Sequence, residues 1–127
     1  MSAALPSCSV NTLSVLFGTY DTLSGLNVDA VGNVTVTCTA ADSYSIALSS
    51  GNGSFAARQL QSGAGLLYYN LYTDTSRTSV WGDGSGGTAF VPGSGTTGSF
   101  PVYGRIPGRQ NVAAGTYGDT ITVTLTF

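Results

Sequence analysis

A chain of 127 residues is long enough for one domain with a buried core and too short for two ordinary ones. Only 8% of it is charged, as arginine and aspartate, with no lysine, glutamate or histidine, and the formal net charge is −2. That balance argues against nucleic acid, which needs clustered cations. It leaves no histidine or lysine for acid–base chemistry and none of the lysine and glutamate that favour helix surfaces.

The first residues, MSAALPS, show no basic segment followed by an apolar one, so any export signal is expected to have been removed already. CSVNTLSVLFGTY predicts a strand with Leu13, Val15 and Phe17 on one face. NVTVTCTA alternates Val34, Val36 and Cys38 inward against Thr35, Thr37 and Thr39, and YSIALSS does the same with Tyr44, Ile46 and Leu48. A helix has only SFAARQLQSG to begin in, and glycine ends that stretch within a few residues. LLYYNLYTD places Leu67, Tyr69 and Leu71 on one face and Tyr68 and Tyr72 on the other. FPVYGRI is shorter, and Pro101 predicts an edge or a strand start. ITVTLTF alternates without an error, and such an apolar last strand needs either neighbours on both edges or a reason to be an edge. Between these windows lie the turn signals SGNGS, QSGAG, GDGSGG, VPGSGTTGS and IPGRQNVAAGTYGD. Short strands separated by turns, with no internal repeat or linker, predict one all-β sandwich over residues 1–127. No apolar run approaches a membrane span.

Cys8 and Cys38 point to one disulfide and an oxidising compartment, with two buried free thiols as the alternative. The bridge closes a loop of about 30 residues, worth roughly 3–4 kcal/mol in the chain-entropy model. Nothing is present to complete a metal site around two cysteines. The aspartates (Asp21, Asp29, Asp42, Asp74, Asp83, Asp119) sit mostly in turn-like contexts, where a carboxylate accepts backbone amides. A glycosidase-style carboxylate pair is not readable without distances, and the serines have no histidine to activate them. WGDGSGGT lacks the lysine of a phosphate loop and the several carboxylates of a calcium loop. It reads as a tight hairpin with Asp83 capping the turn and Trp81 packed on the core. Arg105 and Arg109 read as surface contacts, and Asn33 and Asn52 stand in glycosylation sequons that occur often by chance. Tyr117, in AAGTYGD, matches the tyrosine that ties its hydroxyl to an upstream backbone group in immunoglobulin-like sandwiches, or it is an ordinary half-buried tyrosine. Nothing calls for an enzyme, a metal or a cofactor. Tyr68, Tyr69, Tyr72 and Trp81 keep open a carbohydrate-binding or adhesive β-sandwich, since aromatic faces stack on sugars.

Four blocks, CSVNTLSVLFGTYD, VTVTCT, YNLYTDTSRTSVWGDGSGGT and VYGRIPGRQNVAAGTYGDTITVTLTF, resemble in this order the spore coat protein U domain family, the subunits of archaic chaperone–usher pili and related secreted coats. The resemblance runs from Cys8 to Phe127. It implies an all-β, incomplete immunoglobulin-like β-sandwich lacking its last strand, completed by a donor strand. A periplasmic chaperone would lend that strand first, and a neighbouring pilus subunit would replace it at the usher, on the way to the cell surface. Thr120, Ile121, Val123, Leu125 and Phe127 would then border the donor or chaperone. Rod subunits of the family carry an apolar donor ahead of the first cysteine, whereas here only MSAALPS, with Pro6, precedes Cys8. The sequence is thus expected to be a chain that has lost its donor, the pilin domain of a tip subunit, or a coat-type relative.

Overall fold

The computed structural model describes residues 8–20, 25–62, 65–110, 112–113 and 115–127. Pro6 and Asp21 lie outside the described residues. Among the described residues there are six strands and no helix: β1 (Cys8–Leu13), β2 (Val28–Leu48), β3 (Arg58–Ser62), β4 (Gly65–Tyr72), β5 (Val91–Ile106) and β6 (Val123–Thr126). They make one sheet in the order β1-β2-β5-β4-β3, with β6 also on β2, and the sheet curls into a half-barrel consistent with an immunoglobulin-like fold.

The two alternating windows around Val36 and Ile46 are one 21-residue strand, β2, whose pairing with β5 shifts register between Thr37 and Asp42. One residue set per window faces inward: Val34, Val36 and Cys38, then Tyr44, Ile46 and Leu48, all at most 7% exposed. Leu67, Tyr69 and Leu71 of β4 complete the same core with Trp81, whose indole N–H donates to the Ile46 carbonyl at 3.0 Å. This periodicity is what a sheet with one wet face requires.

VPGSGTTGS is not a turn. It is the first half of β5, pairing with β2 along its length. Pro101 is therefore not a strand start, and it does lie on an edge. Trp81 N–H donates to the Leu71 carbonyl, so Leu71 faces away from β5, and Asn70 and Tyr72 face Arg105 and Tyr103. Alternation then turns the Pro101 nitrogen away from β2, where no strand needs its missing N–H. Gly93 and Gly98 have a different reason: a Cβ at either would lie 2.4 or 2.7 Å from atoms of Tyr44. SFAARQLQSG supplies β3 rather than a helix, because its alternate residues Arg58 and Leu60 are buried.

β1 begins at Cys8, directly opposite Cys38 on β2, and the two are joined as a disulfide. Leu13 departs from the expected face. It ends β1 opposite Asn33, an outward position of β2, and is 72% exposed, while Val15 and Phe17 pack on the core. The chain leaves the ladder after Leu13, so the two-residue period that linked the three residues no longer holds.

Past Ile106 the sheet continues through a side chain. The carboxamide of Gln110 accepts from Tyr68 N–H at 2.7 Å and donates to the Tyr68 carbonyl at 2.7 Å. Extending the β4–β5 register puts Pro107 opposite Tyr68, and proline has no N–H to give. Gln110 makes that rung instead, and it holds Pro107 as well through a 3.0 Å bond to its carbonyl.

Candidate functional site

The chain from Gly115 onward is a strand edge with two different sides. Gly118 exchanges both backbone bonds with Gln61 (2.7 and 2.9 Å), and Thr122 takes Ser49 N–H at 3.0 Å. β6 then continues against Ser45–Leu48 in the same register. Even-numbered residues therefore direct their backbone groups at the domain's own sheet, and alternation directs those of Tyr117, Asp119, Ile121, Val123 and Leu125 the other way. Gly115, first of that odd set, is met by Tyr20 (2.9 and 3.3 Å). Beyond it, among the described residues, no strand pairs with this edge.

Between the edge and the chain of residues 12–19 lies a groove of about 570 Å³. Val34, Leu48, Leu60, Leu71 and Val102 form its apolar floor, Val15 and Phe17 one wall, and Ile121 and Val123 the other. Ile121, Val123 and Leu125 are half-buried on the core, while Thr120, Thr122 and Thr124 are exposed. Of the residues that the resemblance assigns to an interface, Ile121 and Val123 line the groove. Leu125 packs on the core, Thr120 is exposed, and Phe127 is 64% exposed and does not line the groove.

Asp119 is the one charged residue of the lining. Its carboxylate accepts from the Tyr69 hydroxyl at 2.7 Å and from the backbone of Asn52 and Thr120. Burial, and next this carboxylate, push the Tyr69 phenol above its ordinary value. Tyr117 donates its hydroxyl to the Ala113 carbonyl at 2.6 Å, an upstream tie that is one of its two sequence readings.

The other sequence candidates are structural. Asp83 takes the N–H and hydroxyl of Ser85 in its turn, and Asp74 takes Thr78 and Ser79 in another. Asp29 forms a two-pronged pair with Arg105 (2.8 and 3.0 Å), while Arg109 is next to Gly25, so Arg105 and Arg109 do not converge on an anion site. Trp81 and Tyr69 are buried, Tyr72 half-buried and Tyr68 51% exposed, and these four share no solvent-facing platform. Among the described residues no three of Cys, His, Asp and Glu gather as a metal site, and no helix is long and apolar enough to cross a membrane. Sequence reasoning missed Arg58, which is 0% exposed, and Gln110. Neither carries a pattern signal, because each is defined by carbonyls distant in sequence.

The architecture defines a class: a helix-free curled sheet whose last strand leaves one backbone edge open along an apolar groove. The chain belongs to the spore coat protein U domain family, whose sequence model matches residues 1–124. It is 40% identical over 126 residues to Protein U of Myxococcus xanthus, covering 87% of this chain and 70% of that protein. Its fold is similar to a chain in the crystal structure of the CsuC–CsuE chaperone–tip adhesion subunit pre-assembly complex from archaic chaperone–usher Csu pili of Acinetobacter baumannii. That match has a TM-score of 0.68 and 25% identity, covers 97% of this chain, and spans 40% of the other chain's length.

Proposed function

We propose that this chain is a structural subunit of a bacterial surface pilus or coat, completed by an extended segment from another polypeptide laid into its groove. The observation that carries this reading is the odd-numbered backbone edge of residues 117–125, unpaired beside an apolar floor. A donor strand supplies both missing halves. Its backbone pairs with Ile121, Val123 and Leu125, and its alternate side chains meet Val34, Leu60 and Leu71. Thr120 and Phe127 flank the donor at the rim and at the open end. Burying about four large apolar side chains, at roughly 1.5–3 kcal/mol each, contributes on the order of 10 kcal/mol, from which ordering the donor subtracts. Such a link is long-lived, as a fibre needs.

Similarity to a subunit held by its chaperone supports a periplasmic chaperone as first donor and a neighbouring subunit, delivered at an usher, as second. Similarity to a tip adhesion subunit supports an accepting pilin domain. The disulfide fits passage through an oxidising periplasm to the cell surface. Expression in the periplasm with and without the cognate chaperone tests the reading. Soluble protein is expected with the chaperone, and aggregation or proteolysis without it. In purified protein, a peptide of about nine residues alternating valine and threonine should raise the melting temperature. A stable monomer that needs no chaperone and ignores the peptide overturns the proposal.

A further inference from the structure

The two walls of the groove touch at one rung, Tyr20–Gly115, and diverge from there. An antiparallel rung normally propagates. Continued inward, it pairs Gly18 with Tyr117, Leu16 with Asp119 and Ser14 with Ile121, and opposed residues present their side chains on the same face. Tyr117 and Ile121 are packed toward the core. Zipping the walls together therefore turns Leu16 inward and Val15 and Phe17 outward.

The structure shows the reverse. Leu16 is 81% exposed, whereas Val15 and Phe17 rest on the core. Inward positions on this wall are Tyr20, Phe17 and Val15, so one step spans three residues where a strand has two. That step contains Gly18 at φ 77°, in the left-handed region that L residues with a Cβ rarely adopt. One residue in that conformation shifts the facing of everything before it by one position. A Cβ built at Gly18 meets nothing within 4 Å, so conformation and not space requires the glycine. The shifted wall is well seated: Phe17 meets Tyr69 edge-on with ring centroids 6.0 Å apart. Both Phe17 and Val15 also lie against Gly104, where a Cβ would stand 2.7 Å from each.

We infer that Gly18 is a positioning residue that holds the groove open: it fixes the facing of the Val15–Phe17 wall and so stops the Tyr20–Gly115 rung from zipping the walls together in place of a donor. Closing the groove in this facing exchanges two packed apolar residues for one. The inference rests on the donor-strand reading and adds the device that keeps the acceptor edge free.

Amide hydrogen exchange at Tyr117, Asp119 and Ile121 in donor-free protein reads closure directly, and affinity for the alternating valine–threonine peptide reads its consequence. Gly18→Ala should protect these amides and weaken the peptide by about five- to thirtyfold, the cost of a left-handed residue with a Cβ. Gly18→Asn, which tolerates that conformation, should keep the groove open and stay within about threefold of the parent chain. Adding Leu16→Asp to Gly18→Ala should reopen the groove and leave the Tyr117, Asp119 and Ile121 amides unprotected, because closure then buries a carboxylate. Unprotected amides with parental affinity in Gly18→Ala overturn the inference, as does equal damage by Ala and Asn. Failure of the parent chain to bind peptide overturns the donor-strand reading instead, and the exchange data still decide the role of Gly18.

Discussion

The hydroxyl of Tyr69 donates to Oδ2 of Asp119 at 2.7 Å, tying the floor strand of the groove to its rim. Oδ1 of the same carboxylate takes the amides of Asn52 and Thr120, so one side chain joins three segments. Gly51, at φ 62°, approaches so closely that a Cβ there would lie 2.2 Å from the carboxylate. Tyr69→Phe keeps the packing and removes the tie. It should destabilise the domain by about 1.5–3 kcal/mol, the range for a hydrogen bond to a charged group. Urea unfolding measures the loss, and faster amide exchange at Gly118, whose N–H bonds to the Gln61 carbonyl, shows that the rim has loosened.

Arg58 is the domain's interior pin. Its guanidinium donates to Asn70 Oδ1 at 2.7 Å, twice to the Ser49 carbonyl (3.0 and 2.7 Å) and to the Trp81 carbonyl at 2.6 Å. Burial lowers its pKa, yet an arginine remains a cation at any working pH. The planar fork reaches three acceptors that a single ammonium cannot, so Arg58→Lys should cost about 3 kcal/mol or more. Parental stability in that variant would contradict a pinning role.

Tyr44 offers the opposite sign. Its hydroxyl is buried without a hydrogen-bond partner among the described residues, and an unmade bond of this kind costs about 1–3 kcal/mol. Tyr44→Phe should therefore leave the melting temperature unchanged or raise it. Gly93→Ala should lower it, since a Cβ would stand 2.4 Å from the Tyr44 ring and overpacking costs about 1–3 kcal/mol.

The pH dependence of stability should be a broad plateau. Asp29 is held below the ordinary 3.8 by its hydrogen bond to Arg105, and Asp74 by the Thr78 hydroxyl and then Ser76. A depressed carboxyl contributes stability above its unfolded value and loses it as pH falls through the folded one, so the decline begins below about pH 4. Tyr69 is raised, chiefly by burial. Its contribution is whole below the unfolded value of 10.0 and is lost as pH rises beyond it. With no histidine in the chain, a urea midpoint measured across pH 5–9 should stay nearly flat. Tyr69→Phe should shrink the alkaline decline.

Reduction of the Cys8–Cys38 bridge should act first on β1, which among the described residues pairs with β2 and with no other strand. The chain-entropy model assigns the bridge roughly 3–4 kcal/mol. Replacing both cysteines by serine should lower the denaturant midpoint accordingly and increase amide exchange at Asn11, opposite Thr35 on β2, before any β4 residue. Simultaneous loss at both would argue against local fraying.

The windows that read correctly are those with one dry and one wet face. Val34, Val36 and Cys38, and Leu67, Tyr69 and Leu71, print their burial in sequence because successive side chains alternate across a strand. VPGSGTTGS misled for a physical reason: its proline and glycines normally signal turns, but Gly93 and Gly98 make room for Tyr44. Leu13 misled because the ladder stops beside it. Arg58 was illegible because a buried cation depends on three carbonyl or amide oxygens gathered from β4 and two loops.

The candidate site divides the same way. Alternation marked Ile121 and Val123 as inward-facing, and both line the groove. Nothing in it marked Gly18, or Val15 and Phe17 as the facing wall. The sequence by itself determined the all-β class, the faces of most strands and a pair of cysteines able to join. Only the tertiary structure decided which strand edges are paired and that, among the described residues, the one beside the groove is not. Every residue but proline carries the same backbone donor and acceptor, so side-chain patterns encode which face is buried but not which neighbour, if any, lies alongside.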